Sequence, residues 1–190
     1  MAAATSNYLK AHQVLAETAH WTSIVAPAVL MAVLAAAVWL DFARHRIPNV
    51  LTFGALGAGL LLSAVGAGLD GAVTAFAGAA VAFACFMPLY LMKGMGGGDV
   101  KLMAAAGAFL GPMNAFIAAM LTLATGAILG LVVLAWRLIE LRDASGALLA
   151  GPVLAQAGKK RFPYAAAIAV GVVSTMCLRG LLKPLFGGLA

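Results

Sequence analysis

Charged side chains are scarce in this sequence. Asp, Glu, Lys and Arg make up 9% of the 190 residues, while hydrophobic residues make up 64%. An average soluble domain is about half apolar and about a quarter charged. The scarcity of charge excludes a sizeable soluble domain and predicts an integral membrane protein that is almost entirely embedded in the bilayer.

Cysteine is also scarce, and the two cysteines, Cys85 and Cys177, lie in separate apolar runs. No C-x-x-C pair or Cys/His spacing is present, so neither a disulfide framework nor a zinc site is predicted. We expect both cysteines to be small buried hydrophobic residues, and we expect no metal and no cofactor.

Acidic residues are outnumbered by basic ones, 6 against 12, which gives a net charge of +6. A basic chain can indicate a nucleic-acid partner. In a membrane protein, however, such an excess usually reflects Lys and Arg retained on the cytoplasmic face. We therefore predict no nucleic-acid partner.

Six apolar runs predict an all-α, polytopic fold with six transmembrane helices. Turn signals such as Pro48, Asp70-Gly71 and Gly111-Pro112 separate several of them. The runs cover residues 21–42, 50–69, 72–92, 99–110, 115–136 and 162–182. Residues 1–20 are expected to be a tail or an interfacial segment, residues 21–190 a single membrane-embedded domain, and residues 137–161 a polar loop within it.

The fourth run is short. A helix from Val100 to Leu110 reaches only about 17 Å, whereas the hydrocarbon core of a bilayer is ~30 Å thick. We expect a half-span or a tilted, kinked helix whose ends are surrounded by protein.

The basic residues predict the orientation. Nine of the 12 lie in the loops after the first, third and fifth runs, and three lie on the other side. The positive-inside rule then places those loops in the cytoplasm and both termini in the periplasm. Asp41, which ends the first run, and Asp99, which opens the fourth, fall on the same cytoplasmic side.

An ionisable residue at the edge of the hydrocarbon is costly and marks a candidate functional site. Two carboxylates such as Asp41 and Asp99 can hydrolyse an amide if they share one water: one takes a proton from the water, and the other, protonated, polarises the scissile carbonyl. The helix dipole favours an anion at the predicted helix start. We therefore expect Asp99 to be the anion and Asp41 to hold the shared proton.

Gly96, Gly97 and Gly98 directly precede Asp99. Glycine permits close backbone approach and unusual backbone angles, which would help to align an extended substrate. One alternative is a nest of amides for phosphate, which the missing Lys-Ser/Thr continuation disfavours. Another is a tight turn with Asp99 as an ordinary N-cap.

Three segments resemble the signatures of the type IV prepilin peptidases. Asp41 with the run Arg46-Ile47-Pro48-Asn49 resembles the first signature. Residues 96–102 resemble the second, the G-x-G-D motif that is shared with preflagellin peptidases and, more remotely, presenilin. Residues 162–169 resemble the Pro-Tyr-bearing start of the last helix in that family.

The resemblance implies an aspartyl endopeptidase of the bacterial inner membrane, with Asp41 and Asp99 as its catalytic residues. It implies as partners the lipid bilayer and a prepilin, whose basic leader is removed at the cytoplasmic face from in front of an apolar helix. The residues expected to position the substrate, directly or by shaping the site, are Gly96, Gly97, Gly98, Lys101, Arg46, Pro48 and Asn49.

The sequence departs from the bifunctional members of that family, which carry a large N-terminal cytoplasmic loop with paired cysteines. We therefore expect no N-methyltransferase activity and a likeness to the short form found with tight-adherence (Flp) pili. The alternatives are a non-catalytic scaffold and an ion-coupled transporter that uses Asp41 and Asp99 as a proton relay. The position of both acids at a boundary, rather than in mid-span, counts against the transporter.

Overall fold

The computed structural model describes residues 24–43, 47–145 and 164–186, and these residues form five helices and no strand. The all-α fold predicted from the sequence is confirmed for this part of the chain. The helices are α1 (Ile24–Ala43), α2 (Asn49–Leu91), α3 (Gly97–Leu110), α4 (Pro112–Ser145) and α5 (Tyr164–Phe186). The predicted N-terminal segment 1–20 lies outside the described residues.

Three of these helices, α1, α2 and α4, are long and apolar enough to cross a membrane. Large apolar side chains such as Trp39, Leu69 and Trp136 lie exposed on their outer faces. Lipid would cover such side chains, whereas water would leave a large apolar surface uncovered. Both features agree with a multi-pass membrane protein.

The long helix α2 is broken in its middle. Ala67 and Gly68 have non-helical backbone angles, and a Cβ built on Gly71 would overlap the carbonyl oxygen of Ser63. In a straight helix those two residues would lie about 12 Å apart. The chain therefore folds back, and α2 consists of two arms, residues 49–66 and residues 69–91.

The break falls slightly earlier than the turn predicted at Asp70-Gly71. Gly68 has φ 63° and ψ −143°, a combination that is essentially restricted to glycine. Because Gly68 supplies this conformation, the chain turns there, and Asp70 already belongs to the second arm.

Helix α3 lies at the centre of the bundle, and ten of its 14 residues are buried. Near its C-terminal end it contacts both arms of α2, at Gly59 and at Gly78. Its N-terminal end contacts the start of the first arm through Lys101 and the end of the second arm through Gly97. It therefore runs parallel to the first arm and antiparallel to the second. The burial confirms that protein encloses this short helix, which reaches about 21 Å.

Helix α1 packs on the bundle through one face. Leu30, Leu34 and Ala37 follow the spacing i, i+4, i+7 of a helical stripe, and all three are buried in one cluster with Val100 of α3. At the other end of α1, Ala26 lines a cavity with the C-terminal residues of α3. Helices α1 and α3 are therefore antiparallel.

The junction between α3 and α4 confirms the break predicted at Gly111-Pro112. Gly111 ends α3 with φ 75°, and Pro112 is the first residue of α4, a position where its missing N–H is not needed. The other end of α4 differs from the prediction, because the helix continues to Ser145 instead of giving way to a loop at residue 137.

The expected burial of both cysteines is wrong for one of them. Cys85 is half-buried in α2, while Cys177 is exposed on α5. On a membrane helix the outer face is apolar as well, so an apolar neighbourhood in the sequence does not imply a place inside the bundle.

Candidate active site

Asp41 continues the buried face of α1. It follows Ala37 by four residues, is 9% exposed and lies two residues before the end of the helix. Its Oδ2 atom is buried and has no hydrogen-bond partner among the described residues. Burying a carboxylate without a partner is costly, so packing alone does not explain an acid here.

Asp99 lies in the first turn of α3 and is also 9% exposed. Gly96 is the N-cap residue, and Asp99 is the third residue of the helix. The Gly96 N–H donates a hydrogen bond to Asp99 Oδ2 (3.3 Å), and the Asp99 N–H donates to the Gly96 carbonyl oxygen (3.1 Å). The expectation that Asp99 opens the helix is wrong, because Gly97 and Gly98 are already helical.

The three glycines before Asp99 are explained by close packing of neighbouring residues and not by unusual backbone angles. Among the described glycines only Gly68 and Gly111 have positive φ. A Cβ on Gly97 would lie 3.3 Å from the Tyr90 ring, and a Cβ on Gly98 would lie 3.3 Å from Ile47 Cβ. Close contacts of α3 with its own neighbours thus account for these two glycines, and a role of the triplet in aligning a substrate stays a prediction.

Lys101 and Asn49 are brought together although they are 52 residues apart in the sequence. The Lys101 ammonium donates a hydrogen bond to Asn49 Oδ1 (3.0 Å) and lies 5.2 Å from the centroid of the Phe53 ring. Pro48 is the N-cap residue of α2, and Asn49 is its first helical residue. Arg46, the remaining candidate, lies outside the described residues.

The two aspartates lie towards the same end of the bundle. Ala26, near the start of α1, lies beside the C-terminal residues of α3, so the end of α1 that carries Asp41 and the start of α3 that carries Asp99 lie on the same side. The exposed Asp70 lies at the opposite end, beside the C-terminal residues of α3. The fold therefore places the two candidate catalytic acids towards one end of the bundle and the acid in the turn at the other.

Sequence reasoning missed two neighbours of the site, Phe53 and Tyr90, and included Ile47 only as part of the first signature run. Each is an ordinary apolar or aromatic residue by type, and its proximity to α3 depends on how the helices pack. The one available signal was the Gly97-Gly98 pair, since adjacent glycines in a helix indicate that bulky side chains approach closely.

The profile of the type IV leader peptidase family matches residues 28–133. This range covers more than half of the chain and contains both Asp41 and Asp99. The chain belongs to the type IV leader peptidase family. Membership confirms the resemblance seen in the motifs.

Curated relatives in the type IV leader peptidase family carry the name prepilin leader peptidase/N-methyltransferase. The protein from Legionella pneumophila is 42% identical over 108 residues, which cover 54% of this chain and 38% of the relative. Those from Aeromonas salmonicida and Aeromonas hydrophila are both 33% identical, over 147 and 144 residues, which cover 74% and 73% of this chain and 49% and 48% of the relatives. The chain thus aligns with half or less of each relative's length. No solved structure is significantly similar to it.

Proposed function

We propose that this chain is an aspartic endopeptidase that cleaves the leader peptide of type IV prepilins. The observation that carries the proposal is the pairing of Asp41 and Asp99. Both are buried towards the same end of one helical bundle, as the position of Ala26 beside the end of α3 indicates, and both fall inside the region that matches the leader peptidase family.

The two carboxyl groups divide the work of amide hydrolysis. Asp99 is assigned the base, because the dipole at the start of α3 favours its anionic form, and Asp41 holds the proton. Asp99 takes a proton from water as the hydroxyl adds to the scissile carbonyl carbon, while Asp41 gives its proton to the carbonyl oxygen. When the C–N bond then breaks, Asp99 protonates the leaving amine, and Asp41 regains a proton from the diol.

The site suits a substrate with an apolar helix and a basic leader. The substrate helix would lie in the bilayer beside the exposed apolar faces of the bundle, and its leader would remain in the cytoplasm. Six membrane spans, with the two arms of α2 counted separately, would place both aspartates at the cytoplasmic side of the inner membrane and both termini in the periplasm. The short-form likeness in the sequence points to prepilins of the Flp type.

We also propose that this chain does not methylate the processed pilin. By resemblance, the bifunctional enzymes carry paired cysteines in a cytoplasmic loop. Here Cys85 and Cys177 lie in the helices α2 and α5, which gives no such pair.

The proposal is tested by incubating the purified protein with a prepilin and following the products by mass spectrometry. Asp41→Asn and Asp99→Asn are each expected to lower the cleavage rate by about 10²–10⁴-fold, the usual contribution of a general acid or base. Asp70→Asn is the matched control, because it removes an acid at the opposite end of the bundle, and it should retain wild-type activity.

Three outcomes contradict the proposal in different ways. Wild-type cleavage by Asp41→Asn or Asp99→Asn would show that hydrolysis does not depend on a pair of carboxyl groups. An intact prepilin together with proton flux in liposomes would favour the transporter. A product heavier by one methyl group, formed when S-adenosylmethionine is supplied, would overturn the proposed lack of methylation.

A further inference from the structure

Residues 47–49, which lead into α2, contact the first turns of α3 at two separate points. Ile47 packs against Gly98, where a Cβ would lie 3.3 Å from Ile47 Cβ. Two residues later, Asn49 Oδ1 accepts the hydrogen bond from Lys101. The two contacts lie on either side of Asp99 in the sequence of α3.

The position of the Lys101 ammonium is stabilised by Asn49 and Phe53. It lies near the N-terminal ends of α2 and α3, and the positive end of a helix dipole disfavours a cation. The amide oxygen of Asn49 and the face of the Phe53 ring both attract a cation and offset this disadvantage. The arrangement therefore reflects a specific contact between helices, in addition to any general preference for Lys at a membrane boundary.

Asn49 is an exposed residue whose backbone is anchored to the next turn of α2. Its carbonyl oxygen accepts a hydrogen bond from Thr52 Oγ1 (3.1 Å), and Thr52 is 2% exposed. The N-cap position of α2 is taken by Pro48, without a side-chain cap. The Asn49 side chain is thus not used for capping and is available to Lys101.

We propose that the Lys101–Asn49 hydrogen bond is a strut that holds residues 47–49, which follow Asp41 closely in the sequence, against the helix that carries Asp99. Lys101 and Asn49 are then positioning residues that set the separation of the two carboxyl groups, and they do not contact the substrate. The sequence predicts that these residues position the substrate, directly or by shaping the site; the strut assigns them the second of these roles, and it rests on the proposed peptidase function.

The strut predicts a specific kinetic signature. Without it the two carboxyl groups are still present but are held less firmly, so the chemical step slows while binding of the prepilin is unaffected. A displacement of about 1 Å at an active site can lower a rate by up to about 10²-fold. Lys101→Met and Asn49→Ala are therefore each expected to lower kcat by about tenfold, with KM within about twofold of the wild type.

The test is a double-mutant cycle on prepilin cleavage. The variant with both substitutions should be no slower than either single variant, because each substitution removes the same bond. Lys101→Arg keeps a donor for Asn49 and a cation over Phe53 and should restore most of kcat. The exposed Lys93 offers the matched control: Lys93→Met removes the same charge near the same end of the bundle and should leave kcat unchanged.

A raised KM with additive effects of the two substitutions would contradict the proposed strut. If Lys101 contacts the substrate, Lys101→Met will raise KM, Asn49→Ala will have little effect, and the two effects will add. Hydrogen exchange gives a readout that does not depend on catalysis: amides in residues 97–103 should exchange faster in Lys101→Met and Asn49→Ala than in Lys93→Met. A wild-type protein that fails to cleave prepilin would refute the proposed function, while the exchange experiment would still decide whether the strut exists.

Discussion

At the scale of single residues, the molecule uses glycine for two different reasons. Gly68 has backbone angles that other residues rarely adopt, whereas Gly78 and Gly107 have helical angles and are needed because two backbones touch there. Replacing a glycine therefore has a different structural effect at different positions. The two kinds of glycine differ in whether the Cβ of an alanine at that position would contact a neighbouring residue.

Gly68→Ala is expected to destabilise the protein through the backbone alone. A Cβ at Gly68 would meet nothing within 4 Å, but a side chain in this conformation costs about 1–3 kcal/mol. Gly54 and Gly57 are matched controls, since a Cβ there also meets nothing within 4 Å and both residues are helical.

The measurement is thermal unfolding of each purified variant in the same detergent. Gly54→Ala and Gly57→Ala should unfold at or slightly above the wild-type temperature, and Gly68→Ala clearly below it. Equal unfolding temperatures for the three variants would show that the fold-back of α2 does not depend on the conformation of Gly68.

At the scale of helices, the central contact is the one between the second arm of α2 and α3. A Cβ on Gly78 would overlap the carbonyl oxygen of Gly107, and a Cβ on Gly107 would overlap that of Gly78. Small residues allow membrane helices to approach this closely, and the resulting dispersion contacts help to hold them together.

Gly78→Ala and Gly107→Ala are each expected to destabilise the bundle by about 1–3 kcal/mol, the usual effect of overpacking. Both should also reduce cleavage, because α3 carries Asp99. Gly57→Ala is the control on the other arm. Unfolding in detergent and the rate of prepilin cleavage measure the two effects, and wild-type values in both would contradict the proposed close contact.

Much of the fold could be predicted from the sequence, but the internal contacts could not. Apolar runs and turn residues predicted helical segments and the break at Gly111, because hydropathy and backbone preference act locally. Asp41 and Asp99 stood out because acids are rare in apolar surroundings. The Lys101–Asn49 bond and the partners of Gly97 and Gly98 depend on helix packing, which no local pattern encodes. The true start of α3 was also missed, because glycine runs usually indicate a loop.

At the scale of the whole molecule, the proposed six-span arrangement predicts an orientation in the membrane. Asp70 lies by the fold-back of α2, at the end of the bundle opposite Asp99. Lys93 precedes α3 by a few residues and belongs to the end that carries the aspartates. The two residues should therefore face opposite sides of the membrane.

This orientation is tested with single cysteines at two exposed positions. Asp70→Cys and Lys93→Cys are introduced separately into a variant in which Cys85 and Cys177 are replaced by Ala. A thiol reagent that does not cross membranes should label Asp70→Cys in spheroplasts and Lys93→Cys in inverted vesicles. Labelling of both from the same side would contradict the six-span topology.

The brevity of α3 has a consequence for biogenesis. A segment of 14 residues falls short of the roughly 20 apolar residues that a helix needs in order to span the bilayer by itself. It therefore has to enter the bilayer together with the two arms of α2 that enclose it. We therefore expect the helix that carries Asp99 to reach its buried position only after the two arms of α2 that enclose it have assembled.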